Sequence, residues 1–337
     1  MAAETEIERL LRDFVRAKSA DPAAEVNAIS PLPGHAGQSY SFELEYAADA
    51  GRVREKLVLR LAPAGVRAVG TADIARQARI MASLAETSVP VPPIKWFGDE
   101  PDWFDRPYFV AAFVTGDKLA LGEHEFPPAQ QRDLARLTIQ MMAALHDVPW
   151  EPRRTAWGEP CTLADEMTRL DALLDRPTLE PSIIAAAPRL RARLKSTLPD
   201  NPLVGCVHGD LNWSNCLYEN GRLRAVIDWE LAQIGAVLID LGWLCLFSDR
   251  ETWVKQDLVP RHILPPDELA EVYRAAVAMP ITAAEVRWFR AFACYRFGVI
   301  TAFNVMLHRR GKRHDPTWED IALTGPRFFE RGLELLG

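Results

Sequence analysis

The sequence lacks several features that would place it in common classes of protein. Its 337 residues contain five cysteines, none of them in a C-x-x-C spacing, so neither a disulfide framework nor a zinc site is indicated. No stretch reaches the ~18 consecutive apolar residues of a membrane-spanning helix. The N-terminal residues include acids and do not resemble a leader sequence. We therefore expect a cytoplasmic protein that is neither exported nor inserted in a membrane.

Positive charge is also in short supply. Asp and Glu number 46 against 39 Lys and Arg, which gives a net charge of -7. A chain of this charge has no overall attraction to nucleic acid or anionic lipid, so we expect neither as a partner. The composition is globular, with 48% hydrophobic and 25% charged residues, and the length exceeds what one hydrophobic core usually holds. The sequence therefore predicts two lobes.

The first third of the chain is rich in strand patterns. After an amphipathic helix at 4–18, the stretches "SYSFELEY" (39–46) and "REKLVLRLA" (54–62) alternate apolar and polar residues and predict a hairpin. A short helix is expected at 72–86. Two more strands are expected, one after "PVPPIKW" and one in the apolar run 107–114.

Beyond Gly116 the patterns become mainly helical, and only 203–207 and 223–228 look like strands. The helices are expected at 127–146, 162–174, 182–196, 266–279 and 282–310. The predicted fold class is α+β. Residues 1–115 form a small N-terminal lobe with an antiparallel sheet, and residues 116–337 form a larger, mainly helical C-terminal lobe.

The two late strands flank the most informative residues. "CVHGDLNWSNCLY" (206–218) carries Asp210 and Asn215, and "LRAVIDWE" (223–230) carries Asp228 at a strand end. Phosphoryl transfer needs a carboxylate to orient the acceptor hydroxyl, and it needs oxygen ligands for Mg²⁺ on the phosphates. These three residues supply that set. The alternative is that they are ordinary turn formers, since Asp and Asn are common in turns.

"HGDLNWSN", followed by "VIDWE" and "IDLGWL", resembles the aminoglycoside phosphotransferase family, whose fold is similar to that of protein kinases. The resemblance implies ATP and Mg²⁺ as cofactors and the helical lobe as the catalytic lobe. It implies Asp210 as catalytic base or hydroxyl-orienting residue, and Asn215 and Asp228 as metal ligands. His208 is expected to brace the loop. Asp240 is expected to organise the loop and to cap the helix that it begins.

The same resemblance makes the N-terminal lobe the nucleotide-binding lobe. Val58 and Arg60 project to one side of their strand, so Val58 is expected over adenine and Arg60 at the phosphates, where relatives often have lysine. Gln77 stands where kinase-like folds usually place a glutamate. We expect Gln77 to hydrogen-bond Arg60, or Asp73 to supply the charge instead.

Two further parts of the nucleotide site are formed by small residues or by backbone groups. "PGHAGQSYSF" is expected to turn over the phosphates, with Gly37 and Ser39 among the nucleotide-binding residues, because glycine lets backbone N–H groups approach oxygen closely. The backbone of Ala112 and Val114 is expected to hydrogen-bond adenine.

The acceptor is predicted to be a small hydroxylated molecule. The stretch 287–313 contains no Asp or Glu, and its arginines include Arg287, Arg290 and Arg296, so a neutral or anionic acceptor is favoured over a polycationic aminoglycoside. A hydroxyacyl compound is suggested because some family members resemble the kinase-like module associated with acyl-CoA dehydrogenases. The competing hypothesis is a nucleotide-binding pseudokinase or regulatory module without transfer activity. Trp213 and Trp229 are expected either to shape the floor of the site or to pack in the core.

Overall fold

A computed structural model of the chain describes residues 6–32, 38–49, 51–63, 70, 73–99, 101–119, 126–176 and 178–337. The chain forms two compact units. The N-terminal unit runs to Thr115 and also contains Ala225–Leu231, and the C-terminal unit contains Gly116–Arg224 and Ala232–Gly337. The segment 225–231 thus belongs to the first unit, whereas the boundary predicted at residue 115 assigns it to the second. Within the described ranges, no helix has the length and apolarity needed to cross a bilayer.

The N-terminal unit is built on a five-stranded antiparallel sheet. Its strands are β1 (Glu25–Leu32), β2 (Gln38–Ala48), β3 (Gly51–Leu61), β4 (Ile94–Gly98) and β5 (Tyr108–Ala112), in the order β1-β2-β3-β5-β4. Its helices are α1 (Glu6–Lys18), α2 (Ile74–Ser83) and α3 (Pro101–Phe104). The predicted hairpin is confirmed, because β2 and β3 pair continuously from Gln38 with Leu61 to Ala48 with Gly51.

The two faces of this sheet have different roles. The leucines at 57, 59 and 61 are buried in a core that α1 completes. The Phe14 ring of α1 lies 5.1 to 5.5 Å, centroid to centroid, from four aromatic rings: those of Trp96, Trp103, Phe104 and Tyr108. Val58 and Arg60 alternate with the leucines and therefore project from the opposite face, as the sequence pattern predicts.

The sequence pattern does not reveal β1, and the geometry of this strand explains why. Val26 is its one buried residue among the eight, so no apolar alternation is present. Ala28 has a positive φ of 52°, and the register with β2 shifts between Asn27 and Ser30. A strand interrupted by a bulge leaves little periodic signal.

The C-terminal unit is mainly helical. Its helices are α4 (Pro128–His146), α5 (Arg154–Trp157), α6 (Leu163–Leu174), α7 (Pro181–Ile184), α8 (Ala187–Ser196), α9 (Leu238–Leu246), α10 (Pro266–Ala276), α11 (Ala283–Arg309), α12 (Thr317–Ala322) and α13 (Gly325–Leu336). The helix predicted at 182–196 is divided into α7 and α8, because Pro188 lacks an N–H for a continuous helix and lies in the first turn of a new one. The sequence patterns did not identify α12 or α13.

Two short antiparallel pairs complete the C-terminal unit. β6 (Val204–Val207) pairs with β9 (Gln233–Ala236), and β7 (Cys216–Glu219) pairs with β8 (Arg222–Val226). The turn between β7 and β8 is Asn220-Gly221, with φ values of 51° and 72°. Both residues tolerate positive φ, which a tight hairpin turn requires. The strands expected at 203–207 and 223–228 correspond to β6 and β8.

The long helix α11 lies at the centre of the C-terminal unit and packs against α6, α8, α9, α12 and α13. Its crossing with α9 is the closest approach. A Cβ atom added to Gly242 of α9 would lie 2.3 Å from the backbone oxygen of Phe289. Only a residue without a side chain fits there, and the crossing brings the second turn of α11 against the second turn of α9.

We predict that Gly242→Ala lowers the free energy of unfolding by ~1–3 kcal/mol or more, because the clash is with backbone that cannot move aside. Gly332→Ala is the matched control: its Cβ would meet the Leu190 Cδ2 atom at 2.4 Å, the mobile end of a side chain. We expect a smaller loss there. Chemical denaturation of both variants is the measurement. A gain in stability for Gly242→Ala, as alanine's higher helix propensity alone implies, would contradict the close crossing.

Candidate active site

The loop after β6 is held by the carboxylate of Asp240, which lies on α9. Its two oxygens accept hydrogen bonds from the backbone N–H groups of His208 and Gly209, both at 2.7 Å. The loop turns at Gly209, where φ is 80°, and the His208 Nδ1 atom accepts a hydrogen bond from the Asp210 backbone N–H at 3.2 Å. The expected bracing role of His208 and the loop-organising role of Asp240 are both confirmed.

The predicted capping role of Asp240 is wrong. The helix α9 begins at Leu238 and has Val237 as its N-cap, without a side-chain hydrogen bond. Asp240 therefore lies inside the first turn. Its carboxylate is fully buried and accepts hydrogen bonds from the two loop N–H groups, which need acceptors in the interior.

A second buried contact secures Asp240 from the other side. The His146 Nε2 atom lies 3.3 Å from Asp240 Oδ2, and His146 Nδ1 lies 2.6 Å from the hydroxyl of Tyr273. Burial opposes the charge of Asp240, but the hydrogen bond and electrostatic influence of His146, with those of His208, lower the pKa of Asp240 below its ordinary value. His146 is thus a structural residue at the end of α4.

Asp210 is the partly exposed member of this loop, and its carboxylate accepts several hydrogen bonds. Trp243 Nε1 donates to Asp210 Oδ1 at 2.9 Å, and Asn212 Nδ2 donates to the same oxygen at 3.2 Å. Asn215 Nδ2 donates to Asp210 Oδ2 at 3.0 Å. Three donors on its two oxygens fix the orientation of this carboxylate. The sequence patterns missed Trp243, although the "DLGWL" stretch contains it.

The side chain of Asn215 lies beside Asp210, and its amide nitrogen and amide oxygen have different surroundings. Its Nδ2 atom donates to the Asp210 backbone oxygen at 2.9 Å as well as to the carboxylate. The Asn215 Oδ1 atom accepts no hydrogen bond from the described residues. An amide oxygen left in this way suits a hard cation such as Mg²⁺.

The two tryptophans singled out in the sequence are packing residues. Trp213 and Trp229 are both buried. Trp213 Nε1 donates to Phe247 O and Ser248 Oγ, each at 3.2 Å, and Trp229 Nε1 donates to Val226 O at 2.9 Å.

The expectation that the α11 arginines bind an anionic acceptor is wrong for two of the three. Arg290 is buried and bonded to Asp267 at 2.7 Å. Arg296 is 2% exposed, and its Nη1 atom donates to the Gly209 backbone oxygen at 2.7 Å. Both serve the interior, because an apolar helix such as α11 buries charge only where partners neutralise it. Arg287 is exposed.

The N-terminal unit brings together Arg60 and Asp228, which are 168 residues apart in sequence. Arg60 Nη1 and Nη2 both lie 3.2 Å from Asp228 Oδ1, and Nη2 lies 3.9 Å from Glu230 Oε2. Asp228 follows β8 and has a φ of 66°, a left-handed conformation that Asp and Asn tolerate better than most residues. The segment is secured by the Val226 N–H, which donates to Pro90 O at 2.8 Å.

The partners expected for Arg60 on α2 are not observed. Gln77 is 1% exposed, and neither its Nε2 nor its Oε1 atom has a hydrogen-bond partner in the described parts of the chain. Asp73 instead caps α2 by accepting from the Arg76 N–H, and it pairs with Arg79 at 3.0 Å. Arg60 pairs instead with Asp228 and Glu230.

The remaining residues predicted to bind the nucleotide are Ser39, Ala112, Val114 and Gly37. Ser39 lies opposite Arg60 in the β2–β3 register, and the neighbouring pair is Ser41 with Val58, so these side chains share one face of the sheet. The Ala112 N–H is already bonded to Pro93 O at 2.8 Å, whereas the Val114 N–H has no acceptor among the described residues. Gly37 lies outside the described residues.

The residues present fit magnesium better than a metal held by protein alone. Among the described side chains, no three of the His, Cys, Asp and Glu type form a metal-binding cluster. Mg²⁺ is commonly bound through one or two protein oxygens, with phosphates and water completing its shell. The Asp228 carboxylate in the N-terminal unit and the Asn215 amide oxygen in the C-terminal unit are each a ligand type of that kind.

A family model described as the phosphotransferase enzyme family APH matches residues 36–287, well over half of the chain. The protein therefore belongs to this family of phosphotransferases. In sequence it is 24% identical over 258 residues to acyl-CoA dehydrogenase family member 10 of Mus musculus. It is 22% identical over 286 residues to an Arabidopsis thaliana protein named probable acyl-CoA dehydrogenase IBR3. These matches cover 73% and 78% of this chain but 24% and 34% of those proteins, so the chain spans a quarter to a third of their length.

Solved structures with the same fold belong to proteins that are named for different activities. A Ralstonia eutropha protein assigned to the aminoglycoside phosphotransferases has a TM-score of 0.77 and 20% identity, with 97% of each chain covered. A ternary complex of APH(4)-Ia with ADP and hygromycin B has a TM-score of 0.62 and 16% identity, covering 96% and 98%. A choline/ethanolamine kinase family protein of Mesorhizobium loti has a TM-score of 0.59 and 15% identity, covering 98% and 99%. The predicted kinase-like α+β fold is confirmed.

We predict that Asp240→Asn lowers the free energy of unfolding at neutral pH by about 3 kcal/mol, because it removes a buried charge that two N–H groups and His146 require. The folded-state pKa of Asp240 is lowered. Its contribution is therefore present above the unfolded carboxyl pKa of about 4 and is lost as the pH falls further. The gap between wild type and variant should narrow in denaturant titrations below about pH 4.

The exposed ion-paired residue Asp133 provides the control for this measurement, since Asp133→Asn should change stability by less than ~1 kcal/mol. A gap for Asp240→Asn that stays constant down to pH 3 would contradict the assigned role of the carboxylate charge.

Proposed function

We propose that this protein transfers the γ-phosphoryl group of ATP to a hydroxyl of a small molecule. The observation that carries the proposal is the Asp210 carboxylate, which is partly exposed while Trp243, Asn212 and Asn215 all donate hydrogen bonds to it. A partly exposed carboxylate whose orientation is fixed by several hydrogen bonds suits the positioning of an acceptor hydroxyl. Family membership gives the reaction class its independent support.

The proposed roles follow from the chemistry of each residue. Asp210 orients the acceptor hydroxyl and takes its proton as the oxygen attacks phosphorus, while the bond to the ADP oxygen breaks. Bound Mg²⁺ would neutralise charge on the phosphates, with Asn215 and Asp228 supplying oxygen ligands. Arg60 is the cationic residue proposed for the phosphates. Val58, Ser39 and the Val114 N–H are proposed to contact the nucleotide, with Gly37, Gln77 and Ala112 as further candidates.

A nucleotide-binding module without transfer activity is the second candidate. The buried Gln77 amide and the engagement of Arg60 by Asp228 favour it, because the basic residue proposed for the phosphates has no ion pair with α2. The carboxylate of Asp210 and its three donors favour transfer. Binding of ATP without any ADP release across a broad set of acceptors would support the second candidate.

The proposed class of acceptor is inferred from the named relatives, because Arg290 and Arg296 of α11 are buried and have partners within the protein. The two curated relatives carry acyl-CoA dehydrogenase names, which supports a hydroxyacyl compound as the first acceptor to test. The aminoglycoside in one structural neighbour supports including those antibiotics in the same panel. We propose that hydroxyacyl compounds are the better acceptors, and we keep ATP and Mg²⁺ as the cofactors.

The deciding experiment follows ADP release from ATP and Mg²⁺ with a panel of hydroxyacyl compounds, simple alcohols, choline and kanamycin-like drugs. A mass increase of one phosphoryl group on the acceptor identifies the product. We expect a hydroxyacyl compound to give the largest kcat/KM. Efficient phosphorylation of an aminoglycoside, at ~10⁴ M⁻¹s⁻¹ or above, would contradict the acceptor class but support the transfer chemistry.

We predict that Asp210→Asn lowers kcat by ~10²-fold or more and leaves ATP affinity nearly unchanged, because the substitution keeps size and removes the proton acceptor. The measurement is steady-state turnover with the best acceptor of the panel, together with ATP binding by calorimetry. Asp200→Asn, at an exposed carboxylate of the same unit, should behave as wild type. Near-normal turnover of Asp210→Asn would remove Asp210 from this role.

We predict that Asp228→Asn weakens binding of the Mg²⁺–ATP complex by ~10-fold or more while metal-free ATP affinity changes little, because the anionic ligand is lost. Asparagine is chosen because it tolerates the φ of 66° at this position, where alanine would add strain. Calorimetry with and without Mg²⁺ is the measurement, and Asp99→Asn, at an exposed site of the same unit, is the control. Unchanged Mg²⁺–ATP affinity in a folded variant would exclude Asp228 as a ligand.

A further inference from the structure

The indole of Trp243 makes a contact to Asp210 that neither the family match nor the sequence motif assigns. Trp243 is 3% exposed, and its Nε1–H donates to Asp210 Oδ1 at 2.9 Å. It lies three residues after Asp240 on α9, so the two side chains project from one face of the helix. Asp240 holds the main chain of the loop, and Trp243 reaches its reactive side chain.

Arg296 of α11 supports the indole from behind. Its guanidinium carbon lies 4.4 Å from the centroid of the Trp243 ring, a cation–π distance. The same side chain donates from Nη1 to the Gly209 backbone oxygen at 2.7 Å. Arg296 therefore contacts both the residue before Asp210 and the ring that donates to Asp210. The close α9–α11 crossing at Gly242 makes this arrangement reachable.

The electrostatics of the cluster favour a strong indole donor. Burial lowers the pKa of Arg296, and the charge of the buried Glu166 opposes that shift. A guanidinium held over an indole face attracts electron density from the ring, and hydrogen bonds in a chain polarise one another. The Nε1–H group is thereby better able to donate to a carboxylate.

Given the proposed transfer reaction, we propose that Trp243 is a positioning residue that fixes the orientation of the Asp210 carboxylate, with Arg296 clamping the indole. The indole donates to Asp210 Oδ1 at 2.9 Å, a shorter bond than the one at 3.2 Å from Asn212 to the same oxygen, and Asn215 Nδ2 donates to Oδ2. Donors on both oxygens define the rotation of the carboxylate plane, and the buried indole holds Oδ1 most closely. The acceptor hydroxyl then meets a carboxylate with a single orientation.

Trp213 provides a matched comparison in the same loop. Its ring is also buried, at 2% exposure, and its Nε1–H group is also satisfied, by Phe247 O and Ser248 Oγ. A Phe substitution at either position removes one indole N–H and keeps an aromatic ring. The two variants therefore differ in whether the lost donor served Asp210.

The first test compares Trp243→Phe with Trp213→Phe in steady-state kinetics. We expect Trp243→Phe to lower kcat about 10- to 100-fold, the effect of losing one hydrogen bond to a charged group. Its ATP KM should change less than 3-fold, so that the loss falls on turnover and not on nucleotide binding. Trp213→Phe should leave kcat unchanged. Equal losses in both variants, or a loss confined to the ATP KM of Trp243→Phe, would overturn the proposal.

A double-mutant cycle separates positioning from general stability. In the Asp210→Asn background, the further Trp243→Phe change should lower kcat less than 3-fold, because the group that Trp243 positions is already disabled. A structural role would give the same loss in both backgrounds. That additive result would overturn the proposal.

A spectroscopic test does not need turnover or a folded Trp243 variant. The wild-type protein labelled with ¹⁵N-tryptophan should show ten indole signals, one for each of its ten tryptophans. We expect Asp210→Asn to shift one indole signal at neutral pH, because the charged acceptor of one indole N–H group is lost, and we expect Asp200→Asn to shift none. Absence of such a signal would overturn the contact. An observed signal without any phosphoryl transfer would retain the contact and refute the proposed function alone.

Discussion

The buried Asp240 carboxylate is the interaction on which the candidate site of the C-terminal unit depends. It receives the N–H groups of His208 and Gly209, and a loop whose N–H groups lacked this acceptor would hold unpaired donors in the interior. The chain His146–Tyr273 ties the same carboxylate to α4 and α10. The loop geometry is thus set by three helices that are distant in sequence, and Asp210 takes its position from that geometry.

The N-terminal unit keeps the basic side chain of Arg60 on the face of its sheet that is opposite the apolar core. Arg60 is only 16% exposed at its side chain, and Asp228 and Glu230 neutralise it. The same carboxylate is the proposed metal ligand. A phosphate that binds Arg60, or a metal that binds Asp228, must therefore compete with the Arg60–Asp228 ion pair. When both ligands bind together, each of the two separated charges gains a new partner, which is a physical reason for joint binding.

Family membership and substrate are separate questions for this protein. The solved structures that share its fold include an aminoglycoside phosphotransferase and a choline/ethanolamine kinase family protein. A shared fold fixes the position of the transferring groups, whereas the acceptor is chosen by side chains that vary within it. The correction of Arg290 and Arg296 shows the same point. These two arginines are buried in the C-terminal unit, where Arg290 pairs with Asp267 and Arg296 donates to the Gly209 backbone oxygen.

The sequence by itself determined the elements with strong periodicity and the residues that carry the chemistry. The β2–β3 hairpin, the faces of Val58 and Leu59, and the long helices follow from alternation and helical spacing, which are local properties. Asp210, Asn215 and Asp228 were found because their spacing matches a known family. Only the tertiary structure decided which partner each polar group has. The pairing of Arg60 with Asp228 instead of Gln77, and the donation from Trp243 to Asp210, join segments far apart in the chain. Such contacts depend on burial and on the nearest available acceptor, and neither is encoded in local spacing.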